Sequence, residues 1–169
     1  MNSKSSEYPK LETIHINTNA QLLTPACWKT LPQDFRSFNK IFTVSVDGAT
    51  AKIYEKNRPG GSFDKLLNNL TLLKKLRKNN EISLLRMYFV YQDNNYKEIP
   101  EIIKIASEFS FDKIFFARIS NWGSFSHSKY LKLDIGNPKH SKYKSFRRII
   151  NNINDSGENN KQPEITFMT

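Results

Sequence analysis

The chain has 169 residues, 38% apolar and 12% aromatic: one domain's length with enough apolar surface for a core, which excludes disorder throughout. No apolar run approaches the ~20 residues of a membrane span, and the start, MNSKSSEYPK, lacks a signal peptide's apolar stretch, so the expected location is cytoplasmic with no membrane partner. One cysteine, Cys27, excludes an internal disulfide, and 26 Lys and Arg against 16 Asp and Glu (+10) raise an anionic partner.

Residues 1–10 are polar and read as a loose segment. Thr13 to Asn17 is a short strand, in which His15 alternates with Ile14 and Ile16 and reads as a partner-satisfied histidine rather than a metal ligand. Thr24 caps and Pro25 opens a helix that carries Cys27, Trp28 and Leu31 into the core. Pro32 to Asn39 is a return loop. The next unit sets the pattern for the chain. Ile41, Phe42, Val44 and Val46 form an apolar strand, Asp47-Gly48 breaks it, and the Thr50 hydroxyl caps a short helix from Ala51 to Asn57. Pro59-Gly60-Gly61 stops that helix, and Ser62 caps a longer one with Phe63, Leu66, Leu67, Leu70, Leu73 and Leu76 on one face. Its basic end, Lys74, Lys75, Arg77 and Lys78, complements the helix dipole.

Leu84 to Tyr91 is the third strand, closed by Gln92 to Asn95. A further helix places Ile99, Ile102, Ile103, Ala106 and Phe109 on one face, with Pro100 in its first turn. Asp112 to Ile119 is the fourth strand, near-continuously apolar as a strand covered on both sides should be. Residues 124–153 read as a helical extension: a helix from Ser126 to Leu133, a break at Pro138, and an amphipathic helix from Ser141 to Ile153. There Lys139, His140, Lys142, Lys144, Arg147 and Arg148 interleave with Tyr143 and Phe146. Residues 154–169 read as a flexible tail. His127 and His140 have no acidic or thiol partner at ligand spacing, so both read as surface histidines and no metal site is expected.

Four strands alternating with helices give the α/β class, built from parallel β/α units with right-handed crossovers. Each strand ends in a small polar group: Asn17-Thr18-Asn19, Ser45 with Asp47, Gln92 with Asn95, and Ser120-Asn121. In a parallel sheet or barrel these ends share one rim, where loops vary without disturbing the core and ligands bind. Thr18, Asn19, Ser45, Asp47 and Arg58 form the candidate small-molecule cradle.

The string S-V-D-G-A-T-x-x-x-Y-x-x-x-R-x-G-G-x-F-x-x-L-x-x-N, Ser45 to Asn69, resembles the fourth β/α unit of radical S-adenosylmethionine (SAM) enzymes, especially the SPASM-type branch. The flanks resemble the family in the same order. Thr18 to Thr24 (T-N-A-x-L-L-T) matches the segment after its third strand, Phe89-Val90 with Asn94 and Glu98-Ile99 its fifth unit, and Arg118 to Gly123 (R-I-x-N-W-G) its sixth. The resemblance implies that residues 11–123 are strands three to six of a radical SAM barrel, a partial, TIM-like half barrel. In that family a [4Fe-4S] cluster at the C-terminal rim reduces SAM, and the 5′-deoxyadenosyl radical abstracts a substrate hydrogen. It further implies Ser45 as a partner of the SAM ribose and Arg58 as a partner of the methionine carboxylate, roles that suit a hydroxyl and a guanidinium fork.

The chain also departs from the family's pattern. It has no C-x-x-x-C-x-x-C, no first two strands, no Gly-Gly-Glu segment and no cysteine-rich segment after residue 123, and Ala20 stands where the family has glycine. Cys27 cannot replace three thiolates. The expectation is a fragment of a radical SAM enzyme that alone neither binds the cluster nor cleaves SAM, and whose missing half barrel a protein partner supplies. The alternative is a non-catalytic basic module that binds nucleic acid or a protein through Arg147 and Arg148.

Overall fold

The computed structural model describes residues 11–155 and 163–168, so the loose segment read for residues 1–10 lies outside the described residues. Five strands, β1 (Thr13–Thr18), β2 (Asn39–Ser45), β3 (Leu84–Tyr91), β4 (Lys113–Arg118) and β5 (Glu164–Met168), form one sheet in sequential order, every pair parallel. Between them run α1 (Pro25–Thr30), α2 (Gln33–Ser37), α3 (Ala51–Asn57), α4 (Phe63–Lys78), α5 (Ile99–Glu108), α6 (His127–Leu133) and α7 (Tyr143–Asp155).

The helix starts follow from side-chain caps: the hydroxyls of Thr24, Thr50, Ser62 and Ser126 accept from the backbone N–H three residues on. Caps choose the start; packing holds the helix. Each cap contributes about 1 kcal/mol, whereas each fully buried Leu contributes about 1.5–3 kcal/mol, and α4 buries Leu66, Leu70, Leu73 and Leu76.

Strand alternation separates two faces. Phe42 and Val44 of β2, Leu85, Met87 and Phe89 of β3, and Ile114 and Phe116 of β4 are buried in the core, together with Leu70 and Leu73 of α4, Ile102 and Ala106 of α5 and Phe146 of α7. The alternate residues Thr43, Ser45, Arg86, Tyr88 and Phe115 are only half-buried and stand outside this core, on the open face of the sheet.

Five expectations from the sequence differ in the structure. The return loop Pro32 to Asn39 contains the short helix α2. Cys27 is exposed, because the six-residue helix α1 turns Trp28 to the core and leaves its preceding neighbour outside. His15 is exposed on β1, where the alternation sends Ile14 and Ile16 to the packed side. The tail read as flexible from residue 154 ends in β5, whose Phe167 ring stacks on Phe116 with centroids 4.9 Å apart. Pairing with β4 supplies the order that the sequence of β5 does not announce by itself. β4 likewise departs from a strand covered on both faces, since Phe115 remains half-buried.

Candidate functional site at the strand C-termini

Parallel pairing brings the C-terminal ends of β1 to β4 to one rim. A cleft of about 440 Å³ opens there, lined by Asn19, Gln21, Asp47, Tyr54, Asn57, Arg58 and the turn Pro59 to Gly61.

The loop after β2 is fixed on every side. Gly48 lies so close to α3 that a Cβ would stand 2.3 Å from the Tyr54 backbone N, so only glycine fits. The Glu98 carboxylate accepts from Ala49 N (2.7 Å) and from the Thr50 hydroxyl (2.6 Å). The Asp47 carbonyl accepts from Asn57 Nδ2 (2.7 Å) and Asn95 Nδ2 (3.1 Å). Asp47 Oδ1 accepts from Val90 N at 2.8 Å, and Oδ2 pairs with Arg58 Nη2 at 2.7 Å. Burial pushes the Asp47 carboxyl above the usual carboxylate range, outweighing the opposing pull of Arg58 and the Val90 N–H.

Arg58 follows the last residue of α3, where its backbone leaves the helical conformation (φ −127°, ψ 76°), and its side chain lines the cleft. Only one prong of its fork is engaged by Asp47. Nε is buried without a hydrogen-bond partner. A second buried atom without a partner, Asn94 Oδ1, belongs to the amide that donates to Asn57 Oδ1 at 2.6 Å. Gln21 closes the other wall, donating to Tyr54 Oη at 2.9 Å and accepting from Ser62 N at 2.8 Å. Burial raises the Tyr54 phenol above its usual range, so it serves here as a neutral hydrogen-bonding group.

Of the five cradle residues, Asn19, Asp47 and Arg58 meet at this cleft. Thr18 and Ser45 do not line it: the Thr18 hydroxyl accepts from Ala20 N at 2.9 Å, and Ser45 closes β2 on the open face. Sequence reasoning placed Asn95 on the rim but not in the cradle, and missed Gln21, Tyr54, Asn57 and Glu98 as parts of the site. Their bonds to the rim loops span 10 to 49 residues, and hydrogen bonds of that reach leave no spacing to read. Away from the rim, Arg147 and Arg148 border a shallow groove on α7 and are exposed. Among the described residues no group of three His, Cys, Asp or Glu side chains gathers as a metal site, and the single thiol does not fit an iron–sulfur cluster. Among the described residues no helix is long and apolar enough to cross a membrane.

No family model and no curated protein matches the chain. Solved structures of SuiB from Streptococcus suis are similar in fold. With SuiB itself the TM-score is 0.63 at 16% identity, over 98% of this chain and 34% of SuiB. With SuiB bound to S-adenosylmethionine it is 0.61 at 18% identity, over 92% and 32%. With SuiB bound to the precursor peptide SuiA it is 0.59 at 16% identity, over 92% and 31%. The chain thus spans about a third of the length of these structures, and its sheet of five parallel strands shares the fold of that part of them.

Proposed function

We propose that this chain forms the SAM-facing wall of a radical SAM barrel and that its rim cleft takes the amino-acid end of SAM. The observation that carries this reading is the Asp47–Arg58 ion pair at the cleft, with Arg58 Nε buried and unused beside it. A carboxylate and a guanidinium side by side are complementary to a zwitterion: the methionine carboxylate falls to the Arg58 fork and its ammonium to Asp47. Ser45, on the open face beside the rim, is the partner for the ribose hydroxyls, and Thr18 and Asn19 shape the neighbouring turn. When bound beside a reduced cluster, SAM supplies a radical that abstracts hydrogen. This chain carries no ligand set for that cluster, so in this reading a protein partner provides the remaining strands and the thiolates, and the chain by itself is catalytically silent.

Calorimetric titration of SAM into the full chain tests the reading. Saturable binding is expected, weakened at least about tenfold in Arg58→Ala, the scale of one charge-assisted hydrogen bond; no binding, or equal binding by both proteins, would overturn it. Anaerobic reconstitution is expected to give neither stoichiometric iron nor 5′-deoxyadenosine, and the appearance of both would refute the assignment of the chain as silent.

A further inference from the structure

The open face carries a second polar centre, set back from the rim. On one level across the strands lie Thr43 of β2, Arg86 of β3, Lys113 of β4 and Glu164 of β5, each opposite the next. Arg86 and Lys113 thereby put like charges directly opposite each other, an arrangement that destabilises a sheet unless something answers it. Glu164 answers Lys113, at 2.5 Å. Among the described residues nothing charged answers Arg86. Its Nε is buried without a hydrogen-bond partner, and its guanidinium carbon stands 6.0 Å from the Phe115 ring centroid. The Lys113 ammonium lies over the same ring at 5.2 Å, and the Tyr88 ring lies 6.5 Å from it.

A half-buried guanidinium with an unsatisfied donor in the middle of a sheet is costly to the fold, because the group loses water and gains no partner. We infer that Arg86 is the anchor of an oxyanion-binding site on the open face. The ligand group is a carboxylate or phosphate monoester, gripped by the guanidinium fork and assisted by the Thr43 hydroxyl. Phe115 and Tyr88 receive the apolar or aromatic body attached to it. Arg86, Thr43 and Phe115 lie outside the rim cleft, and only Tyr88, opposite Ser45 in the strand register, borders the place proposed for the SAM ribose.

Phenylacetate and phenyl phosphate are titrated into the full chain, following the Arg86 Nε–H and Phe115 ring signals by NMR. Saturable shifts with at least one of them support the site, and the one that binds tells whether the natural group is a carboxylate or a phosphate. Arg86→Gln is expected to weaken that binding at least tenfold while leaving SAM binding unchanged, and Arg58→Ala to do the reverse, so the two readings fail separately. Thr43→Glu places a carboxylate opposite Arg86; it is expected to abolish binding of both probes and to raise the melting temperature. Failure of both probes to saturate, binding by Arg86→Gln within twofold of wild type, or undiminished binding by Thr43→Glu would each overturn the inference.

Discussion

Asp47 shows how one residue serves both the loop and the cleft: one carboxylate oxygen ties β2's exit to Val90, the other holds Arg58. Burial raises its folded pKa above the unfolded value, so between the two the native state binds more protons. The stability tied to this group is therefore full below the unfolded pKa and is lost as pH rises through the folded one. Asp47→Asn keeps an acceptor for Val90 and removes the titration. As pH rises above about 4, the ordinary value of an unfolded Asp carboxyl, wild type should lose stability relative to Asp47→Asn in urea unfolding; a wild-type advantage that grows with pH would contradict this. Gly48→Ala should cost about 3 kcal/mol or more in thermal unfolding, since the new methyl meets Tyr54 backbone at 2.3 and 2.6 Å. Ala20 is the opposite case. It takes φ 58° where the resembled family has glycine, and is fully buried, its carbonyl accepting from Asn69 Nδ2 at 2.6 Å. Ala20→Gly would relieve about 1–2 kcal/mol of left-handed strain but lose a buried methyl of about 0.8 kcal/mol and about 0.4–1 kcal/mol of chain entropy. The expected change is near zero, which explains how alanine persists there.

Among the elements, those with local signals were legible in the sequence and those made by distant partners were not. α3 starts after Thr50 and α4 after Ser62 because each hydroxyl sits three residues before an N–H it satisfies, a relation visible in the string. β3 was legible from eight nearly unbroken apolar and aromatic residues. β5 was not: Glu164–Met168 follows a polar segment, and its place depends on the ladder to β4 and on Phe167 meeting Phe116. At the cleft, Asp47 and Arg58 were legible as charged residues at loop positions, whereas Glu98 and Asn95 act from 48 or 49 residues away. α7 tests the balance between packing and charge. Phe146 is buried with its ring stacked on Tyr91 at 4.9 Å and edge-on to Tyr96 at 6.3 Å, while Arg147 and Arg148 are exposed. Phe146→Ala should destabilise by about 3–5 kcal/mol, and Arg147→Ala with Arg148→Ala by about 0.5 kcal/mol each or less. If the arginine pair proved the costlier in denaturant melts, α7 would be held by charge and not by its apolar face.

At the scale of the whole molecule, the sheet's two outer strands decide the behaviour. β1 and β5 each have a ladder partner on one side only among the described residues. A parallel sheet is usually covered on both faces, and a strand with free N–H and C=O groups templates another chain. Neither TIHINT nor EITFM contains the Lys or Pro with which proteins commonly blunt an edge. The open face between these edges holds Arg86 and Ser45 rather than a closed apolar layer, so strands added at β1 or β5 would enclose a polar lumen instead of completing a core. The full chain should accordingly show concentration-dependent mass in sedimentation velocity, either with itself or more tightly with a protein that extends the sheet. Asn17→Lys and Met168→Lys, at exposed positions of the two edge strands, should shift the chain toward monomer with little loss of melting temperature, because neither side chain lies in the core. A monodisperse, cooperatively melting wild-type monomer at every concentration would show that the edges are already satisfied and would remove the physical reason for a partner.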